Sequence, residues 1–263
     1  MSNINNKIIW ITGASSGIGE ALAYELSTRN CKLILSARNE EALKKVKANC
    51  NSSNVEILPF NLTDYENSKN NVLKAISFFG RIDILINNGG ISQRSLITET
   101  NFEVNRKLID VNYLGTVSIS TSLLPHFIKH QQGHFVTISS LMGKFSSPLR
   151  SGYCASKHAL HGFFDSLRME HQKDNIKVTL ICPGFVKTNI SKNALTGNGN
   201  AQNIDDDATE KGISVDLFAK KLVKSIEKDN FESYIGGKEV LGIYLKRFFP
   251  KLLHKFVLRS KIR

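Results

Sequence analysis

Short apolar runs rich in Ile, Leu and Val alternate with segments of helical period along most of the chain. The runs at Lys7–Thr12, Cys31–Ala37, Val55–Phe60, Ile82–Asn87, His134–Ser139, Ile176–Ile181 and Phe231–Ile235 are predicted strands. Between them, Glu20–Arg29, Glu40–Asn49, Tyr65–Phe79, Phe102–Lys129, Ala155–Gln172 and Val215–Lys228 carry the spacing of helices. Such alternation implies a parallel sheet, because parallel neighbours need a crossover and helical crossovers cover both faces. Ile8–Ile11 and Ile82–Ile86 read as central strands buried on both sides. The expected fold is α/β: a Rossmann-type, doubly wound parallel sheet of about seven strands, occupying residues 1–239.

Two stretches stand outside the alternation. Residues 193–207 are rich in Gly, Asn and Asp and read as a long mobile loop between the sixth strand and the next helix. From Val240 onward a helical stripe returns: Val240, Leu241, Tyr244, Leu245, Phe248 and Phe249, then Leu252, Leu253, Phe256 and Val257 beyond Pro250. Pro250 is expected to kink one helix or open a second.

Composition adds a location to the charge. The chain has 263 residues, 41% hydrophobic and 22% charged, with 18 Gly and 5 Pro, which excludes disordered and collagen-like classes. Its net charge is +12, and seven Lys/Arg with no Asp or Glu fall in Val240–Arg263. A basic amphipathic appendage suits an anionic membrane surface, and the same stripe also suits packing on the domain or on a partner subunit. No base-reading element is present, so nucleic acid is not an expected partner. The polar start at Met1–Asn6 predicts neither a signal peptide nor a membrane span. Cys31, Cys50, Cys154 and Cys182 lack metal-ligand spacing, so reduced thiols, no metal and a cytoplasmic setting are expected, with a peripheral membrane position left open.

Three clusters carry chemistry. Thr12-Gly13-Ala14-Ser15-Ser16-Gly17-Ile18-Gly19 closes the first strand and opens a helix, where glycines admit a pyrophosphate to the helix's amide groups. At the end of the second strand stands Ala37-Arg38 rather than an Asp for ribose hydroxyls, and a guanidinium there suits the 2′-phosphate of NADP(H). Ser140, Tyr153 and Lys157 form the third. Tyr153 and Lys157, four apart, share a helix face, so the ammonium favours the phenolate, while Ser140 is placed to bond a substrate oxygen.

Thr12-Gly13-x3-Gly17-x-Gly19, Asn87-Asn88-Gly89-Gly90, Asn112, Ser140, Tyr153-x3-Lys157 and Pro183-Gly184-x3-Thr188 occur in this order. From Lys7 to Gly237 the chain resembles the short-chain dehydrogenase/reductase family, in its NADP-preferring group. The Asn112 neighbourhood and the Asn-Asn-Gly-Gly run resemble the microsomal-reductase-like branch that includes 11β-hydroxysteroid dehydrogenase relatives. The resemblance implies Tyr153 as general acid or base, Lys157 on the nicotinamide ribose, Ser140 on the substrate carbonyl and Asn112 holding a water that relays protons to Lys157. It implies cofactor contacts from Gly13, Ser15, Ser16, Gly17, Ile18, Gly19, Arg38, Asn61, Leu62, Asn88, Gly89, Pro183, Gly184, Val186 and Thr188, with Asn87 supporting the sheet. Gly89 replaces the family's usual Ala, and Asn61 stands where an Asp commonly meets the adenine amino group. Residues 185–213 would cover the substrate, and a homo-oligomer is the family's habit. The reading is an NADP(H)-dependent reductase of a lipophilic ketone. Its alternatives are a 3-ketoacyl-carrier reductase and a non-catalytic dinucleotide-binding scaffold.

Overall fold

A computed structural model describes residues 4–259. Seven strands are described: β1 (Ile8–Thr12), β2 (Lys32–Ser36), β3 (Val55–Ile57), β4 (Ile84–Asn87), β5 (Gly133–Ile138), β6 (Ile176–Pro183) and β7 (Glu232–Ile235). They form one sheet in the order β3-β2-β1-β4-β5-β6-β7, every pairing parallel. The order reverses between β1 and β4, and ligands of open α/β sheets bind at the carboxyl ends of strands beside that switch point.

The helices are α1 (Gly17–Ser27), α2 (Glu40–Asn49), α3 (Ser68–Phe79), α4 (Phe102–Ile109), α5 (Gly115–His130), α6 (Ser151–Glu170), the single turn α7 (Asp207–Glu210), α8 (Val215–Glu227), α9 (Leu241–Phe248) and α10 (Pro250–Arg259). The period-2 pleat of the strands splits the core into two layers. Ile9, Ile11, Leu33, Leu35, Ile84 and Ile86 face α1, α2 and α8, whose Leu22, Leu26, Leu43, Phe218 and Leu222 close that layer. Ile8, Trp10, Ile34 and Leu85 face the other way, onto Val72 of α3, Leu123 and Phe127 of α5, and Leu160 and Phe164 of α6. Trp10 is fully buried, and its indole N–H donates to Ser36 Oγ at 2.8 Å, avoiding the roughly 1–3 kcal/mol that an unpaired buried donor costs.

The boundaries that differ from expectation have local causes. β3 ends at Ile57, short of Phe60, although Leu58 N and Phe60 N still donate to Leu35 O and Ala37 O of the neighbouring segment, with Pro59 between them at the open edge. Helix α6 starts at Ser151, four residues earlier than its apolar period shows, which puts Tyr153 inside it. The continuous helix predicted over Phe102–Lys129 is instead α4, a π-helical segment at Asp110–Leu114, and α5. The 193–207 segment is not a free loop: Leu195 bridges to Gln93 and to Ala201, and Asp206 is buried. Pro250 opens α10, where its missing N–H costs nothing. No described helix is long and apolar enough to cross a membrane. The predicted N-terminal stretch and basic tail extend onto residues 1–3 and 260–263, which lie outside the described residues.

Candidate active site

The glycine turn between β1 and α1 is built by backbone constraint. Gly13 and Gly17 have φ of +64° and +59°, a region side chains disfavour, and a Cβ on Gly19 would sit 2.3 Å from Gly13 O. Asn88 holds the turn from β4: its Nδ2 donates to Thr12 O at 3.1 Å and Gly13 O at 2.9 Å. Thr12 Oγ1 in turn accepts from the amides of Asn88 and Gly89. The Asn88 amide nitrogen is therefore committed to the turn rather than left for a ligand. Ser16, the N-cap of α1, makes no side-chain cap hydrogen bond, so the first amides of α1 are available to an anion.

The other predicted cofactor contacts fall at the same end of the sheet. Thr188 reaches the turn directly, since a Cβ on Gly17 would meet its Cγ2 at 3.3 Å. Arg38 is exposed just past β2 and has no carboxylate partner among the described residues. Leu62 lies against the backbone of Gly89 and Gly115. Asn61 is exposed, with Oδ1 accepting from Thr63 N at 3.2 Å. Val186 is buried in the core and its backbone bridges to Ile213. Pro183 and Gly184 are fixed by Glu239, which accepts from Phe185 N at 3.0 Å and from Gly237 N at 2.9 Å. These features fit a phosphate-bearing dinucleotide: uncapped helix amides, glycines that keep side chains away, and a free guanidinium.

Asn112, Ser140, Tyr153 and Lys157 converge from three chain segments. Asn112 lies in the π-helical segment and is fully buried. Its Nδ2 donates to Ile91 O and Ser156 Oγ, both at 2.9 Å, and its Oδ1 accepts from Ile91 N at 2.8 Å. Oδ1 keeps one lone pair. A Cβ on Gly90 would lie 3.1 Å from that oxygen and 3.5 Å from Lys157 Nζ, so the glycine keeps open the space between them. Ser140 follows β5, where its Oγ accepts from Met142 N at 3.1 Å. Lys157 Nζ donates to Ile138 O at 2.8 Å and lies 5.9 Å from the Tyr153 ring centroid. Burial lowers the Lys157 pKa to about 8.

Burial pushes the Tyr153 phenol upward, opposed by hydrogen bonding from Ser140 and by the charges of Arg94 and Arg150. Desolvation outweighs the groups that favour the phenolate, the guanidinium groups of Arg94 and Arg150 among them. Burial also raises the neighbouring Cys154 thiol, which leaves it unsuited to nucleophilic work.

Several supporting residues escape motif reading. Gln93 Oε1 accepts from Gly152 N at 2.8 Å and Tyr153 N at 3.3 Å, capping the start of α6 in place of a local side chain. Asp206 Oδ2 binds both Arg94 and Arg150, and all three residues are buried. Leu195, from the covering segment, packs in one cluster with Ile91 and Tyr153. Beneath the site, Ser139 Oγ donates to Lys157 O at 3.1 Å and lies 2.9 Å from His161 Nε2. His161, Cys182 and Glu232 bring ligand-type atoms within 4.8 Å of one another, but the Glu232 carboxylate already has a cation, Lys144 Nζ at 2.7 Å. Arg38, Ser15 and Lys157 are legible from motifs alone. Gln93, Arg94 and Asp206 carry no local signal, because their meaning depends on partners far along the chain.

Known proteins resemble this chain in sequence and fold. A family model described as short chain dehydrogenase matches residues 7–219. The human protein named dehydrogenase/reductase SDR family member 7 is 42% identical over 255 residues, 94% of this chain and 75% of its own. A Drosophila melanogaster relative named dehydrogenase/reductase SDR family protein 7-like is 38% identical over 260 residues, 95% of this chain and 79% of its own. Among solved structures, a short-chain dehydrogenase from Streptomyces avermitilis superposes with a TM-score of 0.81 at 27% identity, covering 96% of this chain and 97% of that one. A Burkholderia phymatum short chain dehydrogenase/reductase in complex with NAD shares the fold, with a TM-score of 0.84 at 21% identity over 96% of each chain. With the turn, the Tyr-Lys helix and these matches in register, the chain belongs to the short-chain dehydrogenase/reductase family of oxidoreductases.

Proposed function

We propose that this oxidoreductase uses NADP(H) to reduce a lipophilic ketone to a secondary alcohol. The observation that carries the reading is the meeting of Tyr153, Lys157 and Asn112: Lys157 Nζ lies 5.9 Å from the Tyr153 ring centroid, and a Cβ on Gly90 would lie 3.1 Å from Asn112 Oδ1 and 3.5 Å from Lys157 Nζ. A protonated phenol is the proton donor that carbonyl reduction needs. The NADP(H) preference rests on Arg38, exposed, without a carboxylate partner among the described residues and not preceded by an Asp at the end of β2. The apolar character of the substrate rests on Ile91 and Leu195, which pack with Tyr153.

The reduced nicotinamide, when bound, supplies the hydride. The chain's residues do the rest. Ser140 donates a hydrogen bond to the carbonyl oxygen and polarises it, and Tyr153 gives that oxygen its phenolic proton. Lys157, held by Ile138 O, orients the ribose and stabilises the phenolate left behind. The open lone pair of Asn112, facing the space at Gly90, orients a water that returns a proton toward Lys157. Leu195 and the covering segment exclude bulk water.

The test is NADPH oxidation with a panel of steroid-like, retinoid-like, long-chain and acyl-carrier carbonyls. Turnover of apolar free ketones is expected. Turnover confined to carrier-bound 3-ketoacyl groups would assign the other substrate class. Tight NADPH binding with no turnover of any carbonyl would leave a dinucleotide-binding scaffold. Arg38→Asp is expected to move the NADPH/NADH preference by about 100-fold toward NADH, because a charge-assisted hydrogen bond to the phosphate is replaced by carboxylate–phosphate repulsion.

A further inference from the structure

The two C-terminal helices use only part of their apolar stripe on the domain. Ile243, Leu245, Leu253 and Val257 pack with Leu141, Phe145, Cys182 and Tyr234. Leu241, Tyr244, Phe248, Phe249, Leu252 and Leu258 stay exposed, Phe248 at 68% and Phe249 at 62%. Aromatic side chains left that open on a domain with a complete core mark a contact surface. Around them stand Lys246, Arg247, Lys251, Lys255 and Arg259, with no Asp or Glu between Leu241 and Arg259. None of these five cations pairs with a carboxylate among the described residues.

We infer that α9 and α10 form a docking surface for an anionic lipid bilayer, lying in its interface with Phe248 and Phe249 inserted and the lysines and arginines on the headgroups. Three observations choose this occupant. The helices have 8 and 10 residues, too short to span a bilayer but suited to lie on one. A two-fold contact with a second copy would set five cations against five, which is unfavourable. An anionic bilayer takes the apolar and the cationic residues together, each Lys or Arg adding attraction near the surface.

The surface has a position relative to chemistry. A cavity of about 280 Å³ lies between α10 and the segment after Ser140, lined by Phe145, Ser147, Pro148, Leu253, His254 and Val257. That segment runs directly on to Tyr153. Docking therefore brings residues 145–148, a few positions ahead of Tyr153 in the chain, close to the bilayer. For an apolar ketone this shortens the route from lipid to enzyme, a consequence that rests on the function proposed above.

The test is co-sedimentation of the full chain with vesicles, without substrate. Wild type is expected to pellet with vesicles that contain about one-third phosphatidylserine, to stay in solution with phosphatidylcholine alone, and to be released by salt. Phe248→Ser/Phe249→Ser and Lys251→Glu/Lys255→Glu are each expected to lower partitioning, the charge reversal by roughly 100-fold, while circular dichroism and solution turnover of a soluble carbonyl stay as in wild type. Equal pelleting of wild type and both variants would overturn the inference. So would self-association in lipid-free solution that Phe248→Ser/Phe249→Ser abolishes, because the face would then be a subunit contact. Lipid binding without ketone turnover would overturn the proposed function and leave this surface standing, and the reverse result would do the opposite.

Discussion

Arg150 donates to the Asp206 carboxylate at 3.1 Å, so the residue just ahead of the Tyr153 helix is tied to the 193–207 segment. Arg94 binds the same oxygen, from the segment that follows the Asn-Asn-Gly-Gly run. One carboxylate thus joins three pieces of the site and leaves one surplus positive charge near Tyr153. Both arginines favour the phenolate form of Tyr153 and oppose the effect of its burial.

Removing the shared carboxylate isolates two buried cations. Asp206→Asn is expected to cost about 3–5 kcal/mol, the range for breaking a buried ion pair from one side. The cost should fall first on the covering segment, seen as faster proteolysis between residues 190 and 213 and a KM that rises more than kcat falls. Unchanged cleavage and kinetics would remove Asp206 from its role as a tie.

Gly90 separates Asn112 Oδ1 from Lys157 Nζ, and a branched side chain there has no room. Gly90→Val is expected to lower kcat by at least about 100-fold, the scale of losing a positioned proton-transfer path. Circular dichroism should remain that of the folded protein. Turnover within a factor of a few of wild type would show that the space is not part of the proton route.

Much of the fold is legible in the sequence, and so are the residues that the structure gathers around Tyr153. Apolar runs such as Ile8–Ile11 are a strong strand signal, and the Gly13–Gly19 turn follows the first of them directly. The π-helical segment is not legible, because Asp110–Leu114 keeps helical side-chain spacing and only the burial of Asn112 against Ile91 reveals the change. Asp206 is hidden by composition: among Gly, Asn and Asp it looks like solvent-loving loop, and its partners are 56 and 112 residues away. The tail's stripe is visible, but which half packs depends on how β6 and the segment after Ser140 present Cys182 and Phe145.

Two buried histidines weaken the fold in acid. His134, bonded to Thr179 Oγ1 at 2.9 Å, and His161 are both lowered from 6.5 to about 4 by burial. A base depressed in the folded state binds its proton more readily unfolded, so this stability is intact above pH 6.5 and is lost as pH falls toward 4. The loss approaches roughly 3 kcal/mol per imidazole. Thermal midpoints measured from pH 7 to 4 should fall, and less steeply in His134→Gln. An identical acid profile in that variant would contradict the assignment.

The most direct test concerns the phenolic proton of Tyr153. In Tyr153→Phe the ring and its packing remain, so NADPH should bind with a Kd within about twofold of wild type, while kcat for ketone reduction falls by roughly 1,000-fold or more, the range for a lost general acid. Retention of kcat within tenfold, with NADPH binding intact, would contradict Tyr153 as the proton donor and with it the reaction proposed for this chain.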